Sequence, residues 1–375
     1  MLRSARVSIS RSIRRGLKSW SVPTRPFCSS CPMQRGRPRR LIADGVEPHR
    51  MAIIFATGIH RKVTEEEKRA ILTPFIAQRI KTFDHDARDL MRISRVGETS
   101  GGIPVELNRA LFEYGRVVLI GGVTFHYFAG FTGGRKLVCP GLASSKTISA
   151  THKLAFDCER MDRREGVSTG LLHGNAVHEA FVEAASKAKI DFAISAIVND
   201  AGDVTDVFCG DQITSHRAAC DTFASQHKIS IAEKRELVIA SCGGYPFDIN
   251  MIQAHKSLEA ASKACIDGGT IVLLAECRDG LGRDDFLNWF DAEDSGDLGR
   301  RLCEKYQVNG QTAWSFLKKA ERFKVAMVSS LDEDILGRMR SKKLRADGVE
   351  ALINEKTRGY LIPNASKLQI ITGSN

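Results

Sequence analysis

The chain has 375 residues, 43% of them apolar and 26% charged, which fits a folded globular protein with room for two cores rather than a disordered or fibrous one. No apolar run approaches the roughly 18 residues needed to cross a bilayer, so nothing in the sequence reads as a membrane span. The net charge of +11 belongs wholly to residues 1–43, which hold eleven Arg and Lys and no acid. Beyond them 44 basic residues meet 44 acidic ones, so the body is neutral and lacks the basic surface that nucleic-acid binding requires.

Residues 1–43 have the Arg- and Ser-rich, acid-free composition of a transit peptide, and are expected to lie outside the folded domains, as an aberrant or atypical N-terminal segment. Cys28-Ser-Ser-Cys31 has no second pair beside it and is a weak zinc signal. The other cysteines are scattered, and Cys209, Cys242 and Cys277 read as reduced, buried thiols of a cytoplasmic protein. Met51 to Ala56 reads as a buried strand that ends in Thr57-Gly58-Ile59-His60-Arg61. Thr64 and Glu67 then form a capping box at the start of a helix. Asp84-His85-Asp86 reads as a polar, exposed segment. Val117 to Ile120 is the next strand, and Ser144 to His152 the next helix. A helix from Asn175 to Lys189 precedes a strand over Phe192–Val198, a hairpin turn at residues 199–203 and a returning strand from Val204. The pattern restarts near residue 230, with strands over Leu237–Ala240, Thr270–Ala275, Val325–Val328 and Leu368–Ile371. Asp248 is expected to cap a helix that carries Gln253 and Lys256 on one face.

This alternation predicts two α/β domains with mainly parallel sheets, over residues 44–230 and 231–350, and an active site in the cleft between them. Residues 351–375 form a C-terminal segment expected to pack back on the first domain. The chain's densest chemistry lies in Phe125-His126-Tyr127-Phe128-Ala129-Gly130-Phe131-Thr132-Gly133-Gly134-Arg135-Lys136, with His152 sixteen residues later. Glycines among aromatics suggest backbone approach to an anion. The histidines offer proton transfer or metal ligation, and the lysine offers an amine for an anion or a covalent bond. Taken singly, His126 and Lys136 read equally well as surface polar groups beside a tight turn. A P-loop is disfavoured, because Leu137 stands where that motif needs a hydroxyl for magnesium.

In order, Ala56-Thr57-Gly58-Ile59-His60-Arg61, the His126–Lys136 stretch, Pro140-Gly141, His152 and Gly243-Gly244-Tyr245-Pro246-x-Asp248 with Gln253 and Lys256 closely resemble the nickel-dependent lactate racemase family, from about Met51 onward. The resemblance implies a racemase or epimerase of a 2-hydroxy acid, nominally lactate. It also implies a nickel-pincer nucleotide, pyridinium-3,5-bisthiocarboxylic acid mononucleotide nickel, with the enzymes that make it as transient partners. By resemblance Lys136 holds that cofactor covalently, with Gly133, Gly134 and Arg135 near its phosphate, and His152 ligates nickel. His60 and His126 serve as acid and base, and Arg25, Gln253 and Lys256 hold the substrate. The chain departs from the family at Val22, where an aspartate precedes the Thr-Arg-Pro run, and at Ile252, where a tyrosine precedes the glutamine. These departures leave the particular acid open, and the atypical N-terminal segment sustains a second reading, a catalytically impaired or non-catalytic relative that acts as a binding protein or not at all.

Overall fold

The computed structural model describes residues 41–354 and 357–373, together with Pro38. Val22, Arg25 and the Cys28/Cys31 pair lie outside the described residues. The chain forms two compact units, one holding the described residues up to Ala155 with Arg163–Gln226, the other Phe156–Asp162 with everything from His227 onward. No helix among the described residues is long and apolar enough to cross a membrane.

In the first unit, β1 (Ala52–Phe55) pairs in parallel with β2 (Lys81–Asp84). Between them α1 (Glu65–Ile71) opens on the expected capping box. Thr64 Oγ1 accepts the Glu67 N–H, and the Glu67 carboxylate accepts the Thr64 N–H at 2.8 Å. A bulged antiparallel pair follows, β3 (Ile93–Glu98) and β4 (Pro104–Asn108). Their glycine-interrupted alternation gave no clear strand signal. Next, β5 (Val118–Gly122) runs parallel to β6 (Phe192–Val198), which turns at the expected hairpin into β7 (Val204–Gly210). The longer helices that follow are α2 (Ser145–Lys153), α3 (Ala176–Ala185) and α4 (Thr214–His227). The helix expected to reach Lys189 stops at Ala185, because Lys187 and Ala188 bond back three residues rather than four.

The Asp84-His85-Asp86 segment is not a solvated one. His85 is buried, its Nε2–H donates to the Ala143 carbonyl at 2.9 Å, and its Nδ1 accepts from Asn108 at 3.0 Å. The pairing of β2 with β1 draws this segment inward, and burial lowers the His85 pKa.

The second unit is built on a wholly parallel five-stranded sheet. Its strands are β8 (Arg235–Ser241), β9 (Cys265–Leu274), β10 (Lys324–Val328), β11 (Lys342–Lys343) and β12 (Gly359–Ile362), in the order β11-β10-β9-β8-β12. Helices α5 (Met251–Ser262), α6 (Ser295–Glu304) and α7 (Val308–Arg322) accompany it. Val238, Leu258, Ile271, Leu273, Phe286 and Phe316 make the centre of its core. The described C-terminal residues fall in this unit. Tyr360 and Ile362 point into the core from β12, and Gln369–Thr372 pairs in parallel with Lys228–Ile231.

Six described cysteines are free thiols, and Cys139, Cys220, Cys242, Cys265 and Cys277 among them are buried, as the reduced-thiol reading requires. Cys209 departs from it by being exposed on the edge strand β7. Cys158 and Cys303 depart from it more strongly, since they form a disulfide. Phe316 is fully buried on α7, so Phe316→Ala is expected to lower unfolding stability by about 3–5 kcal/mol. The exposed Met91→Gln is expected to stay within about 0.5 kcal/mol, both read by urea unfolding of the full chain.

Candidate active site

Phe125 and His126 pair antiparallel with Phe131 and Gly130. Phe125 and Phe131 fasten this small hairpin to Phe223 of α4, with Phe125 5.1 Å from each of the other two rings. The chain then turns through Gly133 (φ +76°) and Gly134 (φ +52°) into a single turn over Gly134–Leu137. A Cβ at Gly133 would lie 2.9 Å from the Gly122 carbonyl, and one at Gly134 only 2.5 Å from the His216 ring. The chain's own packing therefore demands both glycines.

That turn buries Arg135, which is 4% exposed. Its Nη2 donates to the Ala129 carbonyl at 2.7 Å and its Nη1 to the Gly133 carbonyl at 3.4 Å. His216 Nε2 lies 3.1 Å from Nη1, but also 2.8 Å from the Thr132 carbonyl, which can only accept. A hydrogen on Nε2 that serves Thr132 leaves no lone pair there for the guanidinium. Arg135 Nε has no partner, and no carboxylate among the described residues pairs with Arg135. Burial pulls its pKa down to about 10, so it remains a cation at neutral pH. A buried charge without a counter-charge marks a site that an anion would complete.

The next residue, Lys136, extends into an aromatic box. Its Nζ lies 5.9 Å from the Phe128 ring centre and 5.8 Å from that of Phe181. The His152 ring is 5.2 Å from both phenylalanines. His152 sits on the last turn of α2, which Ser144 caps by accepting the Thr147 N–H, and is 6% exposed. Its Nδ1 is 2.7 Å from the Ile148 carbonyl, so the ring hydrogen is on Nδ1 and Nε2 keeps its lone pair. Burial first, and then the Lys136 charge, push its pKa down to about 3, so the ring is neutral.

His126 is also buried, edge-on to Phe128 at 4.5 Å, and its Nδ1 accepts the Ala129 N–H at 3.3 Å. His60 lies exposed in the turn after β1, close enough for its charge to depress His152 further. That turn is stitched to the lysine loop. Gly58 N–H donates to the Gly141 carbonyl and Gly141 N–H to the Lys136 carbonyl, each at 2.9 Å. The structure thus brings His60, His126, Arg135, Lys136 and His152 to one loop system. From the sequence His216 reads as a structural or surface residue, and Phe181 is not singled out. Phe181 reads there as an ordinary core residue of an amphipathic helix, and no local pattern gave either away.

In the second unit, Gln253 and Lys256 lie on one face of α5 as expected, and Lys256 Nζ donates to Gln253 Oε1 at 2.7 Å. Asn250, not Asp248, caps that helix, since Asn250 Oδ1 accepts the Gln253 N–H. The Asp248 carboxylate instead accepts the Glu276 N–H across the neighbouring strand-end loop. No carboxylate among the described residues pairs with Lys256, and burial lowers its pKa to about 8.

Two family models match the chain: the lactate racemase N-terminal domain over residues 24–163 and the lactate racemase C-terminal domain over residues 231–351. The chain belongs to the lactate racemase family. A lactate racemase of Thermoanaerobacterium thermosaccharolyticum is 32% identical over 254 residues, 68% of this chain and 58% of that one. A lactate racemase of Lactiplantibacillus plantarum is 34% identical over 246 residues, 65% and 57% of the two chains. The chain thus spans less than three fifths of these curated relatives. The structure of the lactate racemase apoprotein from T. thermosaccharolyticum superposes with a TM-score of 0.77 at 28% identity, over 85% of this chain and 78% of that one. A crystal structure of a Thermotoga maritima protein shares the fold, with a TM-score of 0.69 at 18% identity over 90% and 88% of the two chains.

His216 is held to a pKa of about 4 by burial first and then by the Arg135 charge. The unfolded chain, titrating near the ordinary value of about 6.5, therefore binds more protons than the folded one between those two pH values. The stability it contributes is full above pH ~6.5 and is lost as pH falls toward ~4. His216→Gln is expected to flatten the fall of unfolding free energy below pH 6.5 by up to about 1.4 kcal/mol per pH unit, measured by urea unfolding at pH 7, 6 and 5.

Proposed function

We propose that this protein is an isomerase that racemises or epimerises a 2-hydroxy acid, using a nickel-pincer nucleotide borne on Lys136. The observation that carries this reading is the pairing of Lys136 with His152 in one aromatic box, where His152 presents a neutral Nε2 whose lone pair faces no ring hydrogen of its own. A backbone carbonyl that fixes the tautomer from Nδ1 is what a histidine metal ligand needs. Among the described residues no group of three or more His, Cys, Asp and Glu could hold a metal ion, so nickel would take its remaining ligands from the bound nucleotide. Arg135 fits the same group from the other side, since a phosphate would supply the counter-charge that its buried guanidinium lacks.

When bound, the cofactor supplies a reversible acceptor for the hydrogen on C2 of the acid. The chain's own groups do the rest. A 2-hydroxy acid that loses hydrogen from C2 must also release its hydroxyl proton, and imidazole takes and returns such a proton near neutral pH. His126 and His60 are the two candidates, one for each enantiomer. In the neutral His126 the Ala129 N–H occupies the Nδ1 lone pair, so Nε2 carries the ring hydrogen and is the atom that gives a proton to the substrate oxygen. Lys256, an ammonium without a carboxylate partner among the described residues, holds the substrate carboxylate, and Gln253 fixes the direction of that ammonium. Phe128 and Phe181 keep water from the Lys136 amine and the His152 ring.

Protein co-produced with the cofactor-synthesis enzymes and nickel is expected to carry a mass adduct on the peptide containing Lys136. An unmodified lysine in well-folded protein would sink the proposal. His152→Ala is expected to keep the adduct and bind at least about tenfold less nickel, because one of the metal's ligands is gone. His60→Asn and His126→Asn are each expected to lower kcat by about 10²- to 10⁴-fold in a chiral assay, with nickel content unchanged.

A further inference from the structure

Three residues after α2 ends, the chain leaves the first unit for Phe156–Asp162 and then returns. The excursion is a hairpin, with Phe156–Asp157 paired to Asp162–Arg163 and its turn held by the Asp157 carboxylate, which accepts the Glu159 and Arg160 N–H groups. It is built into the second unit. Phe156 meets Trp314 of α7 edge-on at 4.9 Å. A Cβ at Gly299 of α6 would lie 3.3 Å from the Phe156 ring and 3.6 Å from the Met161 sulfur, so the hairpin lies close against that helix. Asp162 pairs with Lys318 at 2.5 Å. Cys158 at the hairpin turn is joined to Cys303 on α6, across 145 residues of sequence.

We propose that Cys158–Cys303 is a reversible thiol–disulfide modification site that latches this hairpin to α6, so that the ambient thiol pool sets how firmly the chain just beyond His152 is held. Cys158 is exposed and Cys303 half-buried, which makes the Cys158 sulfur the accessible one for an incoming thiolate. A low-molecular-weight thiolate attacks Cys158 Sγ, the bond to Cys303 breaks, and Cys303 leaves as a thiolate that takes a proton from water. A second thiol resolves the mixed disulfide, which leaves two protein thiols and one small-molecule disulfide, a two-electron reduction of the pair. Formation of the latch is the reverse, with the small-molecule disulfide as oxidant. The remaining contacts, Phe156 with Trp314, Met161 with Gly299 and Asp162 with Lys318, keep the hairpin near α6 when the bond opens. They hold residues 157–161 far less tightly than a covalent link. The proposal rests on the hairpin alone and stands whether or not Lys136 carries a cofactor.

The full chain would be equilibrated in glutathione buffers that range from fully reduced to fully oxidised, quenched with acid, alkylated and read by peptide mass spectrometry. Cys158 and Cys303 are expected to become resistant to alkylation together, in one two-electron transition. Hydrogen exchange of residues 156–163 is expected to run at least about tenfold faster in the reduced protein, with the β8–β10 strands unchanged. Cys158→Ser is expected to match the reduced wild type. Cysteines that alkylate fully at every ratio, a stable glutathione adduct on Cys158 with Cys303 still free, or equal exchange in the two redox states would each overturn the proposal.

Discussion

A guanidinium buried without a counter-charge is the constraint on which the first unit's chemistry rests. Arg135 reaches two carbonyls and an imidazole that is already committed to a third carbonyl, and nothing negative among the described residues meets it. Such a cation is tolerated only where the surrounding fold forces it. Two left-handed glycines, a hairpin pinned by Phe125 and Phe131, and a histidine ring filling the space beside Gly134 supply that force. The same turn that buries Arg135 projects Lys136 in the next position. The unbalanced charge and the box around the lysine are thus one structural decision.

The box itself works through tautomers and dryness rather than through many contacts. His152 has its hydrogen fixed by its own helix, and burial keeps the ring neutral, so its other nitrogen carries a lone pair and not a proton. Lys136 helps by repelling a second positive charge from that ring. Each group thereby defines the state of the other. The second unit presents a simpler arrangement, one ammonium steered by one amide on one helix face. A helix face of that kind is what spacing alone can suggest.

Legibility followed range. The Thr64–Glu67 capping box, the 199–203 hairpin and the strand over Phe192–Val198 were readable because their determinants lie within a few residues of one another. The burial of His85 was not, because it depends on Ala143 and Asn108, which are distant in sequence. Asp248 looked like a cap, yet Asn250 stood nearer the helix start and took the role while Asp248 was drawn to Glu276. The Cys158–Cys303 bond joins positions whose neighbours are unremarkable, so no spacing rule could pair them. The candidate site residues stand out in the sequence only as weak pieces taken in order. Phe181 and His216, which shape the same pocket from other elements, carried no pattern of their own.

The close quarters of the lysine loop bear on how such a protein can diverge. At Gly130, Gly133 and Gly141 even a methyl group would run into backbone carbonyl oxygens, at 2.3, 2.9 and 2.5 Å respectively, which no rotamer change can relieve. A side chain at any of these three positions would have to displace main chain rather than a neighbouring side chain. The course of this loop is thus fixed by its own main chain, whatever side chains surround it.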